Sequence, residues 1–152
     1  MTKVQPILCS LNKTLRGFLL VSRIQVYIYL YDIWGQRVFS NISGSEQTHM
    51  DQVALLLEAY DLEDPVRNES GYGEFTNDVL AGLYLDLTTR GEESLEEALA
   101  VGKAIEFLDI DNLGKLMSET DEQSILMVYE YLLNGSRNHL NAFERQLDRF
   151  AS

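Results

Sequence analysis

An all-α fold is what the sequence predicts, and three features predict it. Apolar residues recur at helical spacing over long stretches, only two prolines interrupt 152 residues, and no segment keeps the alternating pattern of a half-buried strand. A chain of this length makes one domain. It can bury roughly 68–70% of the surface its unfolded form exposes, so its core needs no staples.

Residues 15 to 34 read as the first helix, stopped at Trp34-Gly35, where glycine supplies the C-terminal stop. A second helix runs from about Ser40 to Tyr60, with His49, Val53, Leu56, Leu57 and Tyr60 on one side, and Asp64-Pro65 closes it. Residues 65 to 75, with Pro65, Asn68, Gly71 and Gly73, form a loop. A short helix from Asn77 to Thr89 follows and stops at Arg90-Gly91. Ser94-Leu95-Glu96-Glu97 reads as a capping box that opens a third long helix to about Ser118. Thr120-Asp121-Glu122-Gln123 is a second box, opening a last helix to about Phe150, with Gly135 as the place for a bend. The result is a bundle of four long helices with one extra short helix in the helix 2–helix 3 connection. Residues 1–14 form an irregular N-terminal segment, and residues 15–152 form the bundle domain.

Composition removes several function classes. A formal charge of −12 repels phosphate backbones and anionic lipid, so no nucleic-acid or membrane partner is expected. At 45% hydrophobic the chain is not a disordered acidic tail. The single cysteine, Cys9, excludes a disulfide framework and a cysteine-based metal cluster. The most apolar stretch, Phe18 to Tyr31, is interrupted by Arg23 and Gln25 and is shorter than a membrane span of ~20 residues. Met1 to Ser10 lacks the marks of a signal peptide, so a cytoplasmic location is expected. Tyr27, Tyr29 and Tyr31 cannot all share a helix face, and one of them is expected to pack inward.

The residues that could carry chemistry lie on three helices. Glu46-Gln47-Thr48-His49 is an E-x-x-H, a spacing that projects a carboxylate and an imidazole from one helix face. The alternative is that Ser43-Gly44-Ser45-Glu46 is a capping box, which makes Glu46 a cap and His49 an ordinary surface or core residue. Glu106 and Asp109 share the core-facing stripe of Leu99, Gly102, Leu113 and Leu116, where a carboxylate is costly unless paired or metal-bound. Asp111 points elsewhere, toward solvent. His139 shares a stripe with Leu132, Ser136, Phe143 and Gln146, and Gly135 before it permits close helix approach. Alone, such a histidine is more often a hydrogen-bonded core residue. Together, E-x-x-H, E-x-x-D and a histidine are what an oxygen- and nitrogen-ligated iron or manganese site uses. Phosphate-loop, serine-elbow and H-E-x-x-H templates are absent.

These motifs carry a resemblance. Phe39-Ser40-Asn41-Ile42, Ser45-Glu46-Gln47-Thr48-His49-Met50, Ile105-Glu106 with Asp109-Ile110, and Gly135-Ser136-Arg137-Asn138-His139-Leu140 resemble, in order, the uncharacterised ferritin-like domain of unknown function 2202 family, DUF2202. That family is similar to the wider ferritin and rubrerythrin group, whose sites hold two irons between four helices. The resemblance implies a ferritin-like bundle, Glu46, His49, Glu106 and His139 as metal ligands with Asp109 a candidate, and iron as cofactor. Oxygen or peroxide would be the reactants, and a homodimer is an allowed assembly. One departure stands out. Where the family's first helix reads approximately E-E-K-L-A-R-D-V-Y, this chain has Leu19 through Tyr27 without a carboxylate. With that carboxylate absent, the resemblance allows two irons, one or none, and a metal-free or partly metallated helical module with a structural or interaction role is the alternative.

Overall fold

Five helices and no strand make up the described residues, which are 21–64, 75 and 78–152 of the computed structural model. They are α1 (Val21–Trp34), α2 (Arg37–Ala59), α3 (Asp78–Glu92), α4 (Leu95–Ser118) and α5 (Gln123–Ala151).

Local chemistry sets most of the ends. Gly35 takes φ +63°, and its amide donates to the Tyr31 carbonyl at 2.7 Å, so α1 stops where glycine was expected to stop it. The α2 helix begins at Arg37, ahead of the expected Ser40, and ends at Ala59, before Asp64-Pro65 can act. Asp61 adopts φ +53°, Leu62 N–H donates to the Leu57 carbonyl at 2.9 Å, and Asp61 N–H donates to that of Glu58 at 3.0 Å. This is a Schellman closure with aspartate in the left-handed position. Gly91 does not stop α3. It lies inside the helix, where a Cβ would overlap the Leu30 side chain and where its carbonyl accepts a 2.8 Å hydrogen bond from Trp34 Nε1. Ser94 caps α4 by accepting from the Glu97 amide at 3.0 Å, while the Glu97 carboxylate turns to Arg90 at 2.7 Å. The second expected box does not form: Glu122 is the N-cap of α5 without a side-chain bond, and Thr120 accepts from the Glu122 amide at 3.1 Å. The α5 helix runs unbroken through Gly135.

Helix contacts close a ring in the order α1, α2, α5, α4, with α3 outside it against α1 and α4. The ring encloses two apolar clusters. One joins Val26, Tyr27 and Leu30 of α1 to Phe39 and Ile42 of α2, Leu99 and Ile105 of α4, and Phe143 of α5. The other joins Val53, Leu56 and Leu57 of α2 to Leu113 and Leu116 of α4, and Ile125, Tyr129 and Leu132 of α5. Tyr27 is the inward tyrosine, fully buried, whereas Tyr31 is exposed. Between the clusters, along α2, α4 and α5, lies a buried layer of polar side chains. No helix among the described residues is long and apolar enough to cross a membrane.

Phe143 ties the first cluster together, with its ring 5.7 Å from that of Tyr27 and 5.9 Å from that of Phe39, and with Gly102 directly beneath it. Phe143→Ala should cost about 3–5 kcal/mol in urea unfolding, whereas Phe107→Ser, at an exposed position of the same domain, should stay within about 0.5 kcal/mol. Equal losses for the two would contradict this core.

Candidate metal centre

The polar layer is built by a shared spacing. Glu46 and His49 on α2, Glu106 and Asp109 on α4, and Ser136 and His139 on α5 are each three residues apart, so each pair faces inward at one level. All six are buried, Glu46 and Glu106 completely, and α1 adds buried Arg23 and Tyr27 to the same layer.

One ligand atom each from Glu46, Glu106 and His139 lies within 4.8 Å of the other two. His139 Nδ1 stands 2.9 Å from Glu46 Oε1 and 3.5 Å from Glu106 Oε1. These approaches are ion-pair contacts, not aligned hydrogen bonds, because His139 Nδ1 and Glu46 Oε1 are buried without a hydrogen-bond partner. The outer nitrogen, His139 Nε2, is 2.9 Å from Ser45 Oγ, which turns Nδ1 toward the carboxylates. Tyr27 donates its phenolic hydrogen to Glu106 Oε1 at 2.7 Å, and Glu106 Oε2 is buried with no partner. The far oxygen of Glu46, Oε2, faces His49 Nδ1 at 3.3 Å and the Arg23 guanidinium at 3.7 Å. The same guanidinium pairs with Asp109 Oδ2. The His49 ring stacks on that of His139, with centroids 5.5 Å apart, and meets Tyr131 edge-on.

Charge follows from this geometry. Burial pushes the Glu46 carboxyl up, but Arg23, His139 and His49 together outweigh burial and hold it well below the usual carboxylate range. Burial lowers His139, and Glu106 and Glu46 overcome that effect to raise it to about 9. Burial, then the Glu106 charge, pushes the Tyr27 phenol well above its ordinary value, so it remains a donor.

Of the residues singled out in the sequence, Glu46, Glu106 and His139 come together as a triad. His49 adjoins them through the other oxygen of Glu46, and Asp109 is engaged by Arg23. The capping alternative for Glu46 fails because α2 has already begun at Arg37, and Ser45 bonds His139 instead of an amide. Asp111 is at the surface, paired with Lys115 at 2.8 Å. Gly135 does permit close approach, and what approaches is the His49 ring, which a Cβ there would overlap. Sequence reasoning missed Arg23, Tyr27 and Ser45. The available signal for Arg23 was a charge inside the most apolar stretch of the chain, four residues before Tyr27, which packs inward. Leu19 and Leu20, the positions expected to lack a carboxylate, fall outside the described residues.

The profile of the uncharacterized protein domain DUF2202 matches residues 21–151. The uncharacterized protein MJ0754 of Methanocaldococcus jannaschii is 48% identical over 127 residues, which span 84% of this chain and 68% of that protein. The crystal structure of hypothetical protein MJ0754 from Methanococcus jannaschii superposes with a TM-score of 0.86 at 41% identity, covering 100% of this chain and 83% of that one.

Because His139 in the fold sits near 9 against an ordinary 6.5, its contribution is fully present below 6.5 and is lost as pH rises through 9. Metal-free protein should therefore lose stability between those two values in pH-dependent urea titrations, and His139→Gln should flatten that slope. A parallel slope in the variant would count against the assignment.

Proposed function

We propose that this chain, which belongs to the DUF2202 family, is a ferritin-like metal-binding protein that holds a divalent transition metal, iron foremost, inside a four-helix bundle. The observation that carries the reading is the convergence of Glu46, Glu106 and His139, with Glu46 Oε1, Glu106 Oε2 and His139 Nδ1 all buried and without hydrogen-bond partners. Buried polar atoms without aligned hydrogen bonds are costly, and a cation is the partner that satisfies two carboxylates and an imidazole at once. Oxygen and imidazole donors without thiolate suit iron, manganese or zinc.

When bound, iron would supply Lewis acidity and redox chemistry toward oxygen or peroxide. The chain's own residues do the positioning. Tyr27 fixes the Glu106 carboxylate, and Ser45 fixes the His139 ring so that Nδ1 faces inward. His139 must shed its proton to ligate, so binding should strengthen as pH rises toward 9. The apolar clusters on either side of the layer keep water from it.

A second reading is a metal-free helical module with a structural or interaction role. Arg23 favours it, since a guanidinium already offsets part of the buried negative charge. Thermal unfolding with ferrous, manganous or zinc ions separates the two. Metal at a hundredfold excess over its dissociation constant should add roughly 2.7 kcal/mol to stability, and Glu106→Gln or His139→Gln should remove that gain. A melting temperature indifferent to all three ions would leave the module reading.

A further inference from the structure

The two oxygens of Glu46 face different surroundings. Oε1 looks into the triad, 2.9 Å from His139 Nδ1. Oε2 looks the other way, toward His49 Nδ1 at 3.3 Å and Arg23 at 3.7 Å, and Arg23 also holds Asp109. Around the Arg23 guanidinium there thus stand Glu46, Asp109 and, across Glu46 Oε2, His49. Two carboxylates and an imidazole are the same donor types that make up the triad. Asp109 Oδ1 is buried with no hydrogen-bond partner, so this second cluster has donor capacity beyond what the guanidinium uses. Glu46 is shared by the two clusters, as a bridging carboxylate is.

We propose that Arg23 is a tethered cation occupying a second cation position, between Glu46 and Asp109, so that the centre takes a single divalent ion at Glu46, Glu106 and His139. The proposal rests on the metal-binding reading of that triad. A guanidinium cannot lose its proton in a protein, so the competition with a second ion is not relieved by pH. It also explains how Asp109 stays buried in the metal-free state. Arg23 is therefore a residue that sets stoichiometry, and its removal converts a one-ion centre into a two-ion centre.

The test is Mn2+ content after loading and gel filtration, read by atomic emission and by electron paramagnetic resonance. The native chain should retain about one Mn2+, with the six-line signal of an isolated ion. Arg23→Gln, produced with Mn2+ present, should retain about two, with the six-line signal broadened by coupling between neighbouring ions. Arg23→Gln combined with Asp109→Asn should return to about one. Two ions on the native chain, or one on Arg23→Gln, would overturn the proposal and leave the metal-binding reading intact. No Mn2+ on any of the three chains would overturn both. If Arg23→Gln stays unfolded even with Mn2+, a metal ion cannot stand in for the guanidinium, and the proposal also fails.

Discussion

Buried negative charge is the constraint to which the rest of this molecule answers. Glu46, Glu106 and Asp109 sit buried between two clusters of aliphatic and aromatic side chains. Each uncompensated charge in such a place costs several kcal/mol, even after the protein relaxes around it. The surrounding groups are arranged as replies to that cost. Arg23 brings a permanent positive charge, His139 keeps a proton at pH values where a free imidazole gives it up, and Tyr27 lends a hydrogen bond. Even so, Glu106 Oε2 and Asp109 Oδ1 stay buried without a hydrogen-bond partner.

The layer is possible because it is confined. Apolar clusters above and below it do the work of holding the helices together, so the polar side chains are freed from that task. Helical geometry aligns them: a pair three residues apart on each of α2, α4 and α5 faces inward at one level. Small residues permit the approach. Gly102 accommodates the Phe143 ring and Gly135 accommodates that of His49, so the aromatic and imidazole rings fill space that any side chain would deny them.

Much of this was legible in the sequence, and for identifiable reasons. A glutamate and an aspartate on the same stripe as Leu99, Leu113 and Leu116 announce burial, because stripe membership follows from spacing alone. The inward turn of His139 followed in the same way. Partners across helices were not legible, since spacing says which face a residue occupies and not what stands opposite. Hence spacing offers Ser45 only as a member of an alternative capping box when it is the hydrogen-bond partner of His139, and Arg23 only as an interruption of an apolar run when it is the counter-charge of Asp109. Helix ends erred where tertiary contact overrode local preference. Gly91 stays helical because Leu30 and Trp34 press against it, and Asp61 closes α2 in place of the later proline.

The contact between Gly135 and the His49 ring has a consequence for descent. The two positions lie on different helices, yet position 135 cannot gain a side chain while the histidine stays, because any side chain there claims the space of the imidazole at 49. Drift at this pair must therefore proceed in a fixed order: the histidine is lost first, and only then is the glycine released. A relative that carries alanine or anything larger at the position of Gly135 should therefore lack the histidine at the position of His49. A relative that keeps the histidine should keep the glycine with it, so the smaller residue is tied to the larger one across the pair of helices.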